Sequence, residues 1–434
     1  MKNKLSVIII SVILLALAQD SHAEQALVWD DCVREAKRDH PDLMSATEKL
    51  NQAKAAKEIT RSGVMPLVTG EASEMTSKGP SLGGGSSGSG ASWSSSNAAS
   101  TDYNYGLNVQ QLLFDGFKTS FDLSTAQRNI NASRYNYDVT SSNIRLRLRT
   151  AFVNLLTAQE FVIVAQEIRA RRKQNLELVR SLYDSGREHK GSLLTSQADV
   201  AQATYQVNQA MRSIYLAERQ LNKELGRTIF MPAIANGSLE VKDQVRERPD
   251  FEAIAQTTPL LEQLIALKEA AKYGLLSAKA AFFPQVFVNG NISNTNTNAF
   301  PDQTEWSVGT SLSLPIFDYS IISTITKSKA ALGQAEADQR SGRDGVIYTL
   351  SNTWIQLQNA VDNVEVQREF LEATQERAKI AEAEYSIGLM SFDNWTIIED
   401  NFATAKTNFL TAELNALLAE ANWIQAKGGT LDHD

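Results

Sequence analysis

Tyr183-Asp184-Ser185-Gly186 in the first half of the chain returns as Tyr385-Ser386-Ile387-Gly388 in the second, about 202 positions later. The same offset carries Leu148 onto Leu350, Phe152 onto Trp354, Leu155 onto Leu357, Ala158 onto Ala360 and Gly226 onto Gly428. An offset that holds from Leu148 to Gly226 means helical segments of equal length with no net insertion between them. A repeat of this kind decides architecture before any local motif does.

Outward from the first turn, the chain runs from Lys118 to Leu182 without a proline. Ile144, Leu148, Ala151, Leu155, Ala158, Val162 and Ala165 alternate spacings of four and three, a coiled-coil seam. Leu350, Trp354, Leu357, Val361 and Val364 continue that rhythm in the second copy. About 65 residues at about 1.5 Å each make a rod of roughly 100 Å. A rod that long buries its narrow stripe only against other long helices. Gly186 and Gly388 suit the left-handed conformation at a helix C-terminus, and a returning helix follows each turn. The helical hairpins therefore span 118–226 and 318–426.

Each hairpin is preceded by a strand pair. Asp30 to Gly63 reads as helix, broken at His40-Pro41, and Pro66 ends it. Strands are expected at 67–76 and 103–114, joined by a Gly/Ser-rich stretch from Ser81 to Ser100. Tyr103, Tyr105, Leu107 and Val109 alternate with Asn104, Gly106, Asn108 and Gln110. In the second half Pro284 corresponds to Pro66, strands are expected at 285–293 and 305–315, and a polar turn runs from Ser293 to Asp302. Trp306, Val308, Thr310, Leu312 and Leu314 alternate with small residues. Such alternation fits a transmembrane barrel wall, and equally a sheet packed on a soluble core. The organisation is thus a first repeat at 24–226, an irregular connector at 227–256 beside the rods, a second repeat at 257–428 and a tail at 429–434.

Residues 1–23 read as a secretory signal: Lys2 and Lys4, an apolar run from Leu5 to Leu17, and Ser21-His22-Ala23 as the cleavage site. The net charge is −8, with no basic footprint for nucleic acid. One cysteine, Cys32, excludes an internal disulfide and reads as a small buried helix residue. No later segment has 18 consecutive apolar residues, so no membrane-spanning helix is expected. Four strands cannot close a barrel, since the smallest membrane barrels use about eight, and open edges are forbidden in lipid. Subunits must share one barrel, and three copies are the smallest number that leaves a lumen.

At these residues the sequence resembles the outer-membrane efflux protein family, the TolC- and OprM-like outer-membrane factors. The resemblance rests on Leu27 to Ala46 with His40-Pro41-Asp42-Leu43, on Gln111-Leu112-Leu113-Phe114-Asp115-Gly116, on Leu312-Ser313-Leu314-Pro315-Ile316-Phe317, and on the two Tyr-x-x-Gly turns. It covers nearly the whole mature chain. It implies a mostly α fold with transmembrane β: a homotrimer sharing a 12-stranded barrel in the outer membrane, continued by a coiled-coil tunnel in the periplasm. It also implies a periplasmic adaptor, an inner-membrane ABC or proton-driven transporter, a cargo of drugs, metals or proteins, and no catalysis or cofactor.

Residue roles follow from the same resemblance. Tyr183, Gly186, Arg187, Tyr385, Gly388, Leu389, Met390 and Ser391 become the periplasmic tips where an adaptor docks. Ser81 to Ser100 and Ser293 to Asp302 face the cell exterior. Family members carry aspartates at the sixth and ninth positions after the second glycine. Here those positions are Asn394 and Ile397, with Asp393 adjacent and Glu399 and Asp400 further along. A threefold ring of Asp393 carboxylates would favour cations, whereas Met390 and Ile397 make the entrance more apolar than the pattern. Tyr103 and Trp306, among Trp93, Tyr105, Phe282 and Phe283, are the best candidates for an aromatic girdle.

Catalytic patterns are spurious here. Gly84-Gly85-Ser86-Ser87-Gly88 fits a nucleophile elbow and Gly83-x-Gly85-x-x-Gly88 a dinucleotide loop, but both lie in low-complexity Gly/Ser without the flanking strand and helix. His40, His189 and His433 are too far apart in sequence for a metal site or triad. Two other readings remain at this level. A soluble periplasmic coiled-coil scaffold would pack the strands into a domain, and a stand-alone porin would need many more strands per chain.

Overall fold

The computed structural model describes residues 25–78, 99–241, 247–296, 299 and 304–432. The signal segment, nearly all of the Gly/Ser stretch with Trp93 and the glycine patterns, most of the polar turn after Asn296, and His433 lie outside the described residues. In chain order the elements are β1 (Gln25–Leu27), α1 (Trp29–Asp39), α2 (Pro41–Ser62), β2 (Leu67–Ser77), β3 (Ser100–Phe114), α3 (Lys118–Asp184) and α4 (Lys190–Glu224). Then follow β4 (Ala233–Ala235), α5 (Phe251–Gln256), α6 (Pro259–Ala280), β5 (Gln285–Asn296), β6 (Glu305–Ser313), α7 (Tyr319–Ser386) and α8 (Phe392–Ala426). The long helices come in matched lengths: 67 and 68 residues for α3 and α7, and 35 each for α4 and α8.

Two compact units form, and each draws on both halves of the chain. One contains residues up to Glu48, Tyr135–Glu262 and residues from Ser341 onward; the other contains Lys49–Arg134 and Gln263–Arg340. They therefore cut across the two sequence repeats.

The second unit carries an antiparallel sheet of order β2-β3-β5-β6. The central β3–β5 pair joins the two halves, with Leu107 opposite Ile292 and Val109 opposite Gly290. Ile292 in turn lies opposite Trp306, and Gly290 opposite Val308. Directly paired residues share a face, so this register gathers Val68, Leu107, Val109, Ile292, Trp306, Val308 and Leu312 on one side. All of them are exposed. The other side carries Asn108, Asn289, Asn291, Ser307 and Ser311, with Asn289 Nδ2 donating to Ser311 Oγ at 3.1 Å. Among the described residues neither β2 nor β6 has a partner on its outer edge.

The strands differ from expectation at their ends. β3 begins at Ser100 instead of 103 and β5 continues to Asn296 instead of 293, because the Tyr103–Gly106 and Ser293–Asn296 backbones pair although polar residues dilute the alternation. β6 stops at Ser313, short of Pro315, which has no N–H for a ladder.

In the first unit the expected seam is buried: Ile144, Leu148, Ala151 and Leu155 are fully covered, and Leu350 and Leu357 likewise in the second copy. Around the first group pack Cys32 and Ala36 of α1, Leu221 of α4, and Ala233 and Ala235 of β4. Burial pushes the Cys32 thiol up to about 12, so it remains a neutral core residue. A second group joins Phe251 and Ala255 to Val346, Leu350, Leu357, Ala419 and Trp423. α3 does contain a window long and apolar enough, by length and composition, to cross a membrane, and 44% of that window is buried. Polar residues, glutamines and glutamates among them, interrupt this stretch of α3, and the buried seam accounts for its apolarity.

The connector at 227–256 holds two elements where only irregular chain was expected. β4 pairs in parallel with β1, Leu27 opposite Ala235. The Gln159 side chain completes β4 on its other edge, accepting from Ala235 N–H at 2.9 Å and donating to its carbonyl at 3.0 Å. The tail is held as well: Leu431 is buried and its N–H donates to Ser141 Oγ at 3.0 Å.

Candidate functional site at the helix turns

The two turns that open the sequence reading lie in the same compact unit. Gly186 has φ +72°; its N–H donates to the Tyr183 carbonyl at 2.9 Å, and Arg187 N–H to the Leu182 carbonyl at 2.9 Å. Gly388 has φ +86°, with its N–H on the Tyr385 carbonyl at 3.0 Å and Leu389 N–H on the Glu384 carbonyl at 2.9 Å. Both are Schellman closures, which satisfy carbonyls the helix end leaves open. The Arg187 guanidinium reaches across, and a Cβ on Gly388 would stand 3.3 Å from its Nη2.

The returning helices start from equivalent caps of different chemistry. His189 precedes α4, and its Nδ1 accepts the Ser192 N–H at 3.3 Å. Ser391 precedes α8, and its Oγ accepts the Asn394 N–H at 3.4 Å. His40 does the same before α2, taking the Asp42 N–H on Nδ1 at 3.1 Å.

Glu188 stands at the centre of the first turn. Its Oε1 accepts from His189 N–H at 3.0 Å and from Ser192 Oγ at 2.9 Å, and its Oε2 accepts from the Tyr385 hydroxyl at 2.9 Å. Burial alone would raise this carboxyl, but the His189 N–H and the two hydroxyls outweigh it and hold it below the usual range. Tyr385 is 3% exposed and stacks on Trp395, ring centroids 4.2 Å apart. Burial first, then the bond to Glu188, pushes its hydroxyl above the ordinary tyrosine value. Val179, Leu182, Ala378, Ala381, Ile398 and Phe402 complete this apolar cluster, with Met390 and Phe392 packed at its border.

Along α3 and α8 three ion pairs follow. Lys406 Nζ meets Glu167 Oε2 at 2.6 Å, and Arg172 pairs with Asp400. Arg171 grips Glu399 with both Nε (2.6 Å) and Nη2 (2.7 Å), and Asn175 Nδ2 adds a bond at 3.1 Å. Glu399 is 2% exposed and held inside by these bonds, so unlike Asp393 it does not face solvent. Asp400 is 59% exposed at its side chain but already neutralised by Arg172. Asp393 is exposed in the first turn of α8 and has no ion-pair partner among the described residues. Asn394 and Ile397 are exposed on the same helix, as are Ile387 and Leu389 in the turn. Beside these pairs α3, α4 and α8 line an open groove of about 750 Å³ with Gln202, Gln206 and Phe161 among its walls, where burial pushes the Asp199 carboxyl up.

Of the expected docking residues, Gly186, Arg187, Gly388, Leu389 and Ser391 are exposed and Tyr183 is at the margin, whereas Tyr385 and, in part, Met390 are inside. Tyr103 and Trp306 fall on one face of the sheet, Tyr103 opposite Asn296 and Trp306 opposite Ile292 on the same strand, and Trp306 is 75% exposed. Glu188, Arg171, His189 and Trp395 carry no motif that marks them in the sequence as part of this site. The one signal was position: His189 sits where Ser391 sits, about 202 residues earlier. No group of three metal-binding side chains occurs among the described residues.

A family profile described as Outer membrane efflux protein matches residues 32–227 and 252–429. The outer membrane efflux protein BepC of Brucella suis biovar 1 (strain 1330) is 24% identical over 285 residues, 63% of this chain and 62% of BepC. The match thus spans less than two thirds of that relative's length. Among solved structures, the CmeC outer membrane channel of Campylobacter jejuni aligns with a TM-score of 0.80 at 17% identity, over 93% of this chain and 87% of its own. A membrane protein from Pseudomonas aeruginosa aligns at 0.83 with 16% identity, over 95% and 93%. At such identities the likeness is one of fold.

Proposed function

The chain belongs to the outer membrane efflux protein family, and from that membership we propose that it is the exit duct of a tripartite efflux or type I secretion machine. Its place is the outer membrane, in a family of efflux proteins and not of enzymes. The observation that carries the reading is the four-stranded sheet with an exposed apolar face and two edges that have no partner among the described residues. In water such a face costs free energy, and in lipid such edges do. A homotrimer removes both costs: β2 of one copy pairs with β6 of the next, about twelve strands close, and the apolar face meets outer-membrane lipid with Tyr103 and Trp306 in its aromatic girdle. The matched lengths of α3 with α7 and α4 with α8 support an internal duplication, which lets six half-units approximate a ring.

In this reading the two turns are the periplasmic mouth. The exposed Arg187, Leu389 and Ser391 meet the adaptor, and Asp393, Asn394 and Ile397 line the entrance. An inner-membrane ABC or proton-driven transporter supplies the cargo. The duct itself needs no cofactor. Reconstitution of the purified mature protein into planar lipid bilayers tests it. Discrete conductance steps are expected, and a protein that associates with lipid but never conducts would overturn the duct.

A further inference from the structure

The two turns begin their return helices from equivalent positions, yet one cap is an imidazole and the other a hydroxyl. Ser192 N–H donates to Nδ1 of His189, which requires the neutral ring with its proton on Nε2. Ser391 does the same work for α8 with a hydroxyl. The His189 side chain is 79% exposed, and Glu188 Oε1 lies 3.7 Å from its Nε2. Glu188 is its one ion-pair partner among the described residues. Arg187 in the same turn reaches toward Gly388, Lys190 starts α4 in solvent, Tyr385 of α7 faces the ring only through Glu188, and Asp393 stands exposed in the first turn of α8.

We propose that His189 is an acid-sensitive helix cap: a proton on Nδ1 takes away the acceptor of the Ser192 N–H, releases the first turn of α4, and turns the ring toward Glu188 and the Ser192 hydroxyl, which lies 3.3 Å from Nδ1. Imidazole is the side chain that changes charge between about pH 5 and 8, so the first turn loosens in mild acid. The second turn, held by Ser391, does not. Glu188 is then shared between the imidazolium and the Tyr385 hydroxyl, so acid weakens the link between the turns from one side only. As regulation of the mouth this rests on the duct reading; as a property of the cap it does not.

Hydrogen exchange of the purified full-length protein in detergent, corrected for intrinsic pH dependence, tests it. Between pH 8 and pH 5 protection over residues 190–193 should fall roughly fivefold, the factor set by an N-cap of about 1 kcal/mol, while residues 392–395 hold. His189→Ser should abolish the fall, and Ser391→His should create one in the second turn. Equal pH responses in both turns, or a fall that survives His189→Ser, would overturn the cap. Because exchange needs no conductance, failure of the cap and failure of the duct are told apart.

Discussion

The Tyr385 hydroxyl donates to Glu188 Oε2 at 2.9 Å, and this one bond ties the end of α7 to the turn between α3 and α4. Both partners are covered, so neither finds water in exchange if the other is removed. Any opening that separates the two turns must break this bond, whereas the Tyr385–Trp395 stack lies within the second turn and can persist.

Tyr385→Phe keeps the stack and deletes the bond. A hydrogen bond to a buried charged group contributes about 1.5–3 kcal/mol, so the variant should show a destabilised turn. The readout is exchange protection near Gly186 and Gly388 together with a higher open probability in bilayers. The pH window follows from the two shifts. The Glu188 contribution is present above its unfolded value, roughly 4.3, and is lost as pH falls through the lower folded one. The Tyr385 contribution is present below about 10 and is lost as pH rises through its raised folded value.

Glu399 and Asp400 predict responses of unequal size to loss of their arginines. Arg171→Met leaves a carboxylate that is 2% exposed without its partner and should cost about 3–5 kcal/mol. Arg172→Ala frees an Asp400 that is already 59% exposed and should cost about 1 kcal/mol or less. Arg171→Met combined with Glu399→Leu should recover most of the loss, read as the midpoint of thermal unfolding.

The glycines that end the long helices form a graded series. Gly186, Gly226, Gly388 and Gly428 all have positive φ, so alanine pays the left-handed cost of about 1–2 kcal/mol at each. Around Gly186 nothing stands within 4 Å of a new Cβ, whereas at Gly226 it would meet the Asp39 carbonyl at 2.3 Å and at Gly428 the Pro259 Cδ at 2.5 Å. Gly186→Ala should fold with a modest drop in melting temperature, and Gly226→Ala and Gly428→Ala should lose most of their folded yield.

Sequence made the seam, the turns and the strand pairs legible because each has a period or a break: Leu148 to Leu155, Gly186, Pro66. It left β1 and β4 unseen, since three-residue strands carry no period and Gln159, distant in sequence, satisfies one edge. At the turns, spacing singles out Gly388 and Asp393 but does not tell that Glu399, further along the same helix, is buried. Only the packing of α3 against α8 reveals that Arg171 has claimed it. Glu188 is likewise hidden: beside the nearby Ser192 hydroxyl, its partners are a hydroxyl about 200 residues away and a backbone N–H that has no letter in the sequence.

Ion selectivity tests the entrance assignment. With Glu399 and Asp400 paired to arginines, Asp393 is an exposed carboxylate beside Asn394 on the helix that also carries Ile397. Asp393→Asn should bring the reversal potential in a salt gradient close to zero, and Ile397→Asp should move it in the cation-selective direction. No change in either variant would take these residues out of the conduction path.

The native mass of the mature protein, extracted from outer membranes in mild detergent, tests the shared barrel most directly. The sheet with edges at β2 and β6 predicts a mass of three protomers. A monomer, or a protein released without detergent, would contradict it and leave a periplasmic coiled-coil scaffold.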